Sequence, residues 1–278
     1  MIARLALLLG FGITTGLVAQ ETPGDVSREL PDIVSTFVSS LSTHPGVDDE
    51  IARFDDGRLD PAYRRAFAEF ARNRVTTTVV ERLHEMIREG CSSGVSVDFP
   101  GERFTGRPDP TSTEKDFEDS IVLTRSTACY TTDILPEELL RVYSSRDVRM
   151  AAQSRMEDVY QEDGLTCYAV GGVPLLVGAT RSCNEVRGTA TERIAMDHSQ
   201  TVWSEEEDHQ PVFFKESVKA AVRLDDGRIG LVHVTLTRST GLGGLEKRLG
   251  RGKIEDSLRQ QTEVLAERLR DSSNLGPS

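Results

Sequence analysis

Aromatic side chains are scarce in this chain: they make up 6% of its 278 residues, and Trp203 is the single tryptophan. Positive charge is scarce as well. Lys and Arg number 33 against 45 Asp and Glu, for a formal net charge of −12. A surface this acidic repels nucleic acid and anionic headgroups over long range, so nucleic acid is not expected as a partner. The short signatures of catalysis are missing too. There is no HExxH for zinc, no GxSxG nucleophile elbow and no CxxC pair. The glycines of "GLGGLEKRLGRGK" lack the Gly-Lys-Ser/Thr order of a phosphate loop. The aspartates of "THPGVDDEIARFDDGRLDP" lack the alternate acidic spacing of a calcium loop. No metal and no cofactor is therefore expected, and a binding role is expected ahead of catalysis.

Long apolar runs are missing except at the start. "MIARLALLLGFGITTGLVAQ" carries Arg4 and then an apolar stretch from Leu5 to Val18, broken by Gly and Thr and short for a bilayer. This layout predicts a secretory signal peptide over residues 1–19, cleaved after Ala19. A retained N-terminal anchor is the alternative. After cleavage no stable membrane insertion is expected, and the protein is expected to be periplasmic or secreted. Its four cysteines are an even number in an exported chain, which fits disulfides; buried free thiols are the other reading. Cys167 and Cys183 have their midpoint at Leu175, inside the loop "GGVPLLVGA". A hairpin centred there sets the two opposite each other and predicts a Cys167–Cys183 disulfide. Cys91 and Cys129 then pair or stay free.

Helical spacing marks three segments. Ile33, Phe37 and Leu41 recur every fourth residue in "PDIVSTFVSSL". Asp60-Pro61 is a helix start, and the segment after it carries Tyr63, Phe67, Phe70, Ala71, Val75, Val79, Leu83 and Met86 on one stripe before Gly90. Near the C-terminus Ile254, Leu258, Thr262, Leu265 and Leu269 mark a helix over about Gly252 to Arg270. "SSGVSVDFPGERFTGRPDPTSTEKDFED" shows no lasting period and reads as a linker. Beyond it the period falls to two. "SIVLTRSTACYT" is a strand and "LPEELLRVYSS" a helix. "SRMEDVYQEDGLTCYAV" is a hairpin, "TRSCNEVRGTATERIAMDHSQTVW" one or two strands. "VKAAVRL" and "RIGLVHVTLTRST" pair around Asp225-Asp226-Gly227.

Strand, helix, a run of antiparallel strands and a long last helix: this order resembles the helix-grip fold of the START and polyketide-cyclase-like superfamily. The resemblance is carried by "TACYTTDILPEELLRVYSS", "GGVPLLVGATRSCNEVRG", "DDGRIGLVHVTLTRSTGLGG" and "IEDSLRQQTEVLAERL". It covers about residues 116–272. It implies an α+β fold in which a curved antiparallel sheet wraps the C-terminal helix, with space between them for an apolar ligand. The expected organisation is a signal peptide (1–19), a helical N-terminal extension with linker (20–115), the START-like domain (116–272) and a disordered tail (273–278).

The expected partner is therefore a hydrophobic small molecule or lipid. Its expected contacts are Leu258 and Leu265 on the helix, and Val232, Val234 and Leu236 on the last strand. Arg181 is the candidate for an acidic headgroup. A small-molecule enzyme on the same fold is the alternative, and a polar pocket with His233 facing inward beside a carboxylate would favour it. A second alternative is an interaction module, which a filled core with an exposed apolar stripe on the 61–89 helix would favour. His198 and Asp197 are strand neighbours and point to opposite faces, so they are not expected to act as a pair. No catalytic residue is assigned, and a protein partner is not identified.

Overall fold

The structure is a computed structural model and describes residues 26–42, 59–98, 111–119, 121–153, 156–171, 180–206, 214–238 and 244–274. The expected signal peptide, the loop over 172–179 and the last residues of the expected tail lie outside these. Among the described residues no helix is long and apolar enough to cross a membrane.

Eight strands form one sheet in the order β1-β2-β8-β7-β6-β5-β4-β3, every pair antiparallel. They are β1 (Gly94–Asp98), β2 (Ile121–Thr131), β3 (Met156–Glu162), β4 (Leu165–Val170), β5 (Thr180–Ala190), β6 (Ile194–Glu206), β7 (Phe214–Arg223) and β8 (Arg228–Arg238). From β3 to β8 the chain meanders between neighbours, and β8 returns beside β2. The β7–β8 turn forms at Asp225-Asp226-Gly227, where Gly227 takes φ 83°, a left-handed conformation open to glycine at little strain.

The first two helices cover one face of the sheet, called here the back. α1 (Val26–Ser42) buries Val26, Leu30, Ile33, Phe37 and Leu41. It begins before the expected Pro31 because Val26 and Leu30 continue the apolar stripe. α2 (Pro61–Glu89) starts as expected: the Asp60 carboxylate accepts from the Ala62 and Tyr63 amides at 2.8 and 3.1 Å. It ends at Gly90, with φ 88°. Its stripe packs with α1 and with Ile194, Met196, Val218, Ala220, Val222, Val232, Val234 and Leu236 in a single apolar core. Gly230 permits this close approach, because a Cβ there would stand 2.8 Å from the Met86 sulfur and 3.3 Å from the Cys91 sulfur.

Two expectations about the N-terminal third are corrected by this packing. "GVSVD", expected within a linker, is β1, and Val97 in it is buried. "STEKDFED" is a helix, α3 (Ser112–Asp119). It opens on a capping box in which the Thr111 hydroxyl accepts from the Glu114 amide and the Glu114 carboxylate accepts from the Thr111 amide. The boundary expected at Asp116 therefore separates no second core. Residues on both sides of it share one sheet and one apolar cluster, and Cys91 and Cys129 lie at bonding distance across it, Sγ to Sγ 2.11 Å. Cys167 and Cys183 occupy directly opposed positions on β4 and β5, with sulfurs 2.03 Å apart.

The opposite, front face carries α4 (Pro136–Tyr143), α5 (Arg146–Ala152) and the C-terminal helix α6 (Gly244–Asn274). α4 lies against β6 and β7, while α6 runs beside β1, β2 and α5. α6 starts eight residues before the expected Gly252. Leu, Lys, Arg and Glu around Gly250 and Gly252 favour helix strongly enough to carry two glycines, each a penalty of about 1 kcal/mol. The fold is α+β, as expected: one antiparallel sheet with a long C-terminal helix.

Candidate functional site

Alternation along a strand puts neighbouring residues on opposite faces. On β8 the odd positions Leu231, His233 and Thr235 face front. On β7 these are Lys215, Ser217, Lys219 and Ala221, on β6 Ala195, Asp197 and Ser199, and on β2 Thr124, Ser126, Ala128 and Tyr130. At the end of the sheet near the β7–β8 turn this face is a packed apolar core: Ala128, Tyr130, Ile229, Leu231 and Ala221 meet Leu139, Tyr143, Leu265 and Leu269. Further along, it changes character. Thr124, Ser126, Ser199, Ser217, Lys219, His233 and Thr235 are all buried there.

His233 is the centre of this polar strip. Its Nδ1 lies 2.9 Å from the Tyr143 hydroxyl; its Nε2 lies 2.9 Å from both the Ser217 and Thr235 hydroxyls. The Thr235 hydroxyl donates to Ser217 at 3.2 Å. Burial, reinforced by the charges of Lys215, Lys219 and Arg149, holds the imidazole pKa well below its usual value. Burial also pushes the Tyr143 phenol upward, so it keeps its proton. The ring is neutral and held by hydroxyls. Among the described residues its hydrogen-bond partners are the hydroxyls of Tyr143, Ser217 and Thr235.

Three cations surround the strip. Lys219 donates to the Ser144 hydroxyl and stands 4.0 Å from the Asp197 carboxylate. Arg149, from α5, places its guanidinium 4.8 Å from the centre of the Tyr168 ring. The Lys215 ammonium stands 5.8 Å from the same ring. Burial and the neighbouring Arg149 lower Lys219 to about 8 and Lys215, which keeps some contact with solvent, to about 7. Burial pushes the Asp197 carboxyl up, against the pull of Lys219. Tyr168 belongs to a small separate apolar cluster with Met156, Val159 and the half-buried Met150. The Arg149 Nε and the Ser126 hydroxyl are buried without hydrogen-bond partners.

The residues expected to line one cavity are not brought together. Val232, Val234 and Leu236 are fully buried on the back face, packed against α2. Leu265 is on the front, inside the packed core near the β7–β8 turn. The sheet itself lies between the two sets, because the even positions of β8 point away from α6. Leu258 is half-buried on α6. Arg181 is exposed on β5, in an open groove beside Glu157, Asp158 and Glu162, and lies three strands from β8. The expected apolar lining on the front is therefore polar over its central strands. The apolar stripe of α2 is buried against the sheet and α1.

Sequence reasoning missed Arg149, Lys215, Lys219 and Ser217. A signal existed for three of them: in "KESVKAAV" every second residue of the front set is Lys, Ser, Lys, Ala, a pattern that reads as a solvent face. Arg149 sits on α5, whose Ser145 cap and Val148/Ala152 spacing are legible but short. His198 and Asp197 diverge as expected: His198 lies 2.5 Å from Glu216 on the back, and Asp197 meets Lys219 on the front.

No protein-family model matches the chain, and no curated relative does. Solved structures do resemble it. Human StAR-related lipid transfer protein 5 aligns at 14% identity and a TM-score of 0.42 over 71% of this chain and 95% of that one. The human StarD13 (DLC2) lipid transfer and protein localization domain aligns at 10% and 0.40, over 67% of this chain and 95% of its own. A START superfamily protein from Mycobacterium smegmatis aligns at 13% and 0.37, over 54% and 97%. At these identities and TM-scores the likeness is one of layout and says nothing of the site.

Proposed function

We propose that this protein binds a small amphiphilic molecule on the front face of its sheet, between α4–α5 on one side and α6 on the other. The observation that carries this reading is the covered polar strip of the front face, where Ser217, Lys219, His233 and Thr235 are all buried. The adjoining Met150, Met156, Val159 and Tyr168 offer the apolar part of a ligand an adaptable surface. Among the described side chains of α6, Gln261, Leu265 and Leu269 are buried, while Ile254 and Leu258 are half-buried.

Export belongs to the same reading. It is supported by the Arg4–apolar–Ala19 layout and by two cysteine pairs at bonding distance, which persist in oxidising compartments. Native mass spectrometry of protein recovered from its own export route is expected to show a retained molecule and an N-terminus at or near Gln20. Leu258→Trp is expected to weaken binding of a fluorescent apolar probe at least tenfold with the melting temperature kept. Unchanged probe affinity in that variant, with no retained molecule, removes the reading.

A further inference from the structure

We propose that Arg149, Lys215 and Lys219 form a receptor for an acidic group, a carboxylate or phosphate, carried by an apolar body that lies over Tyr168, Met150 and Met156. This rests on the binding role above and names the chemical class of its ligand.

The argument starts from charge balance. Arg149 and Lys219 are 5% and 2% exposed. A buried cation is unfavourable unless it is paired and hydrogen-bonded. Among the described residues, the carboxylate facing the three cations is Asp197, 4.0 Å from Lys219. Its own pKa is raised, which weakens it as a counter-ion. Neither Arg149 nor Lys215 has a carboxylate partner among the described residues. The charges that act on Lys215 are Arg149 and Lys219, both of its own sign. Without an anion the set sheds charge, Lys215 falling to about 7, and a bound anion draws the protons back.

Geometry points the same way. Lys215 and Lys219 project from the same face of β7, and Ser217 between them is held by His233. Arg149, from α5, reaches the Tyr168 ring that Lys215 also faces. Arg149 and Lys215 both lie within cation–π range of Tyr168, so the charges and the apolar cluster meet at one ring. The guanidinium fork, with a free Nε, suits the paired oxygens of a carboxylate or phosphate. The neutral His233 and its hydroxyls fix the floor of the site and leave the charge to the three cations.

Isothermal titration of the full exported protein with dodecanoate, dodecyl phosphate, methyl dodecanoate and inorganic phosphate tests this. The acids are expected to bind at least tenfold more tightly than the ester. At pH 8 their binding is expected to take up protons, because an anion raises the depressed lysine pKa values. Lys215→Met and Arg149→Met are expected to lose that tenfold preference while keeping ester affinity. Lys215→Gln serves if either variant melts early, and Lys215 variants are expected to lose most of the proton uptake, which a structural defect does not imitate. An ester that binds as tightly as the acids overturns the acid receptor and leaves the binding role standing. Inorganic phosphate binding with neither amphiphile keeps the anion receptor, assigns it to free phosphate, and removes the amphiphile. If nothing binds, both fall.

Discussion

The two faces of the sheet are built from the same strands and buried to the same degree, yet they are chemically different. On the back, Val232, Val234 and Leu236 are dry and packed against α2. On the front, His233 and Thr235 stand between them in sequence and are buried among hydroxyls and cations. Strand alternation normally separates a wet face from a dry one. Here it separates a core that holds the fold from a surface that is covered yet polar. The proposed ligand site is on this covered polar face, whereas on the back the buried His198 is paired with Glu216. The back face is the stability side of the molecule.

That division predicts where the largest losses fall. Phe67 is fully buried on α2, with its ring 4.7 Å from Phe117 of α3 in an edge-on contact. Phe67→Ala is expected to lower unfolding stability by about 3–5 kcal/mol in urea titrations, through lost burial and the cavity left behind. A loss below ~1 kcal/mol would mean that α2 is not part of the core that holds the sheet. The next largest effect concerns the tether between α2 and β2. Cys91 and Cys129 are separated by 38 residues. Replacing both with Ala is expected to remove about 3–4 kcal/mol by the chain-entropy account. Ligand affinity on the front face is expected to persist in whatever fraction remains folded. A variant that folds well and yet loses ligand would join the two faces functionally and break the comparison.

Much of the back face is legible in the sequence, because its residues obey simple periods. The α2 stripe, the Asp60 cap, the Gly90 stop and the opposed Cys167 and Cys183 all follow from spacing. The front site was not legible, for a physical reason. Alternation in "KESVKAAV" reports two faces but is silent on what covers each, and Lys at alternate positions reads as solvent until α4 and α5 are placed over it. β1 and α3 were hidden differently. Val95 and Val97 alternate over only five residues, and the Thr111–Glu114 capping box is a start signal inside a stretch crowded with Pro and Gly. His233 was read correctly as lying opposite Val232 and Val234. One hydroxyl partner, Thr235, is two residues along the same strand, but Ser217 on β7 and Tyr143 on α4 are contacts of a range that no local pattern announces.

A pH experiment sharpens the contrast on the front side alone. Lys215 has a folded pKa of about 7 against an ordinary 10.5. Between these values the unfolded chain binds a proton that the folded chain does not, so stability rises with pH across that window. Below about pH 7 the folded ammonium is charged and its burial penalty is present in full. Lys215→Met removes that penalty. The variant is expected to be more stable than the parent by about 1–2 kcal/mol at pH 6.5, the partial exposure of Lys215 keeping the gain modest. The gap is expected to close as the pH approaches 10.5. A gap that is independent of pH, or a variant less stable than the parent at pH 6.5, would show that the ammonium is satisfied in the empty protein.

The smallest expected effects come from exchanging neighbours across the sheet. Val234 and Thr235 are adjacent on β8 and both are buried, on the back and front faces respectively. Val234→Thr puts a hydroxyl into the dry core, where the adjoining side chains Val218 and Val232 accept no hydrogen bond. Burying that group unpaired is expected to destabilise by about 1–3 kcal/mol. Thr235→Val removes one hydroxyl from a network that retains Ser217 at 2.9 Å from the same His233 nitrogen. The remaining hydroxyl takes over, and the net loss is expected to be about 0.5–1 kcal/mol. The ordering matters more than either value. Urea titrations of the two single variants and the parent, run at pH 7, decide it. If Thr235→Val is the more damaging change, the His233 network is itself a structural core and the front face holds the fold as firmly as the back. If Val234→Thr is the more damaging, the polar strip tolerates loss of a partner, as a surface built to exchange partners with a ligand should.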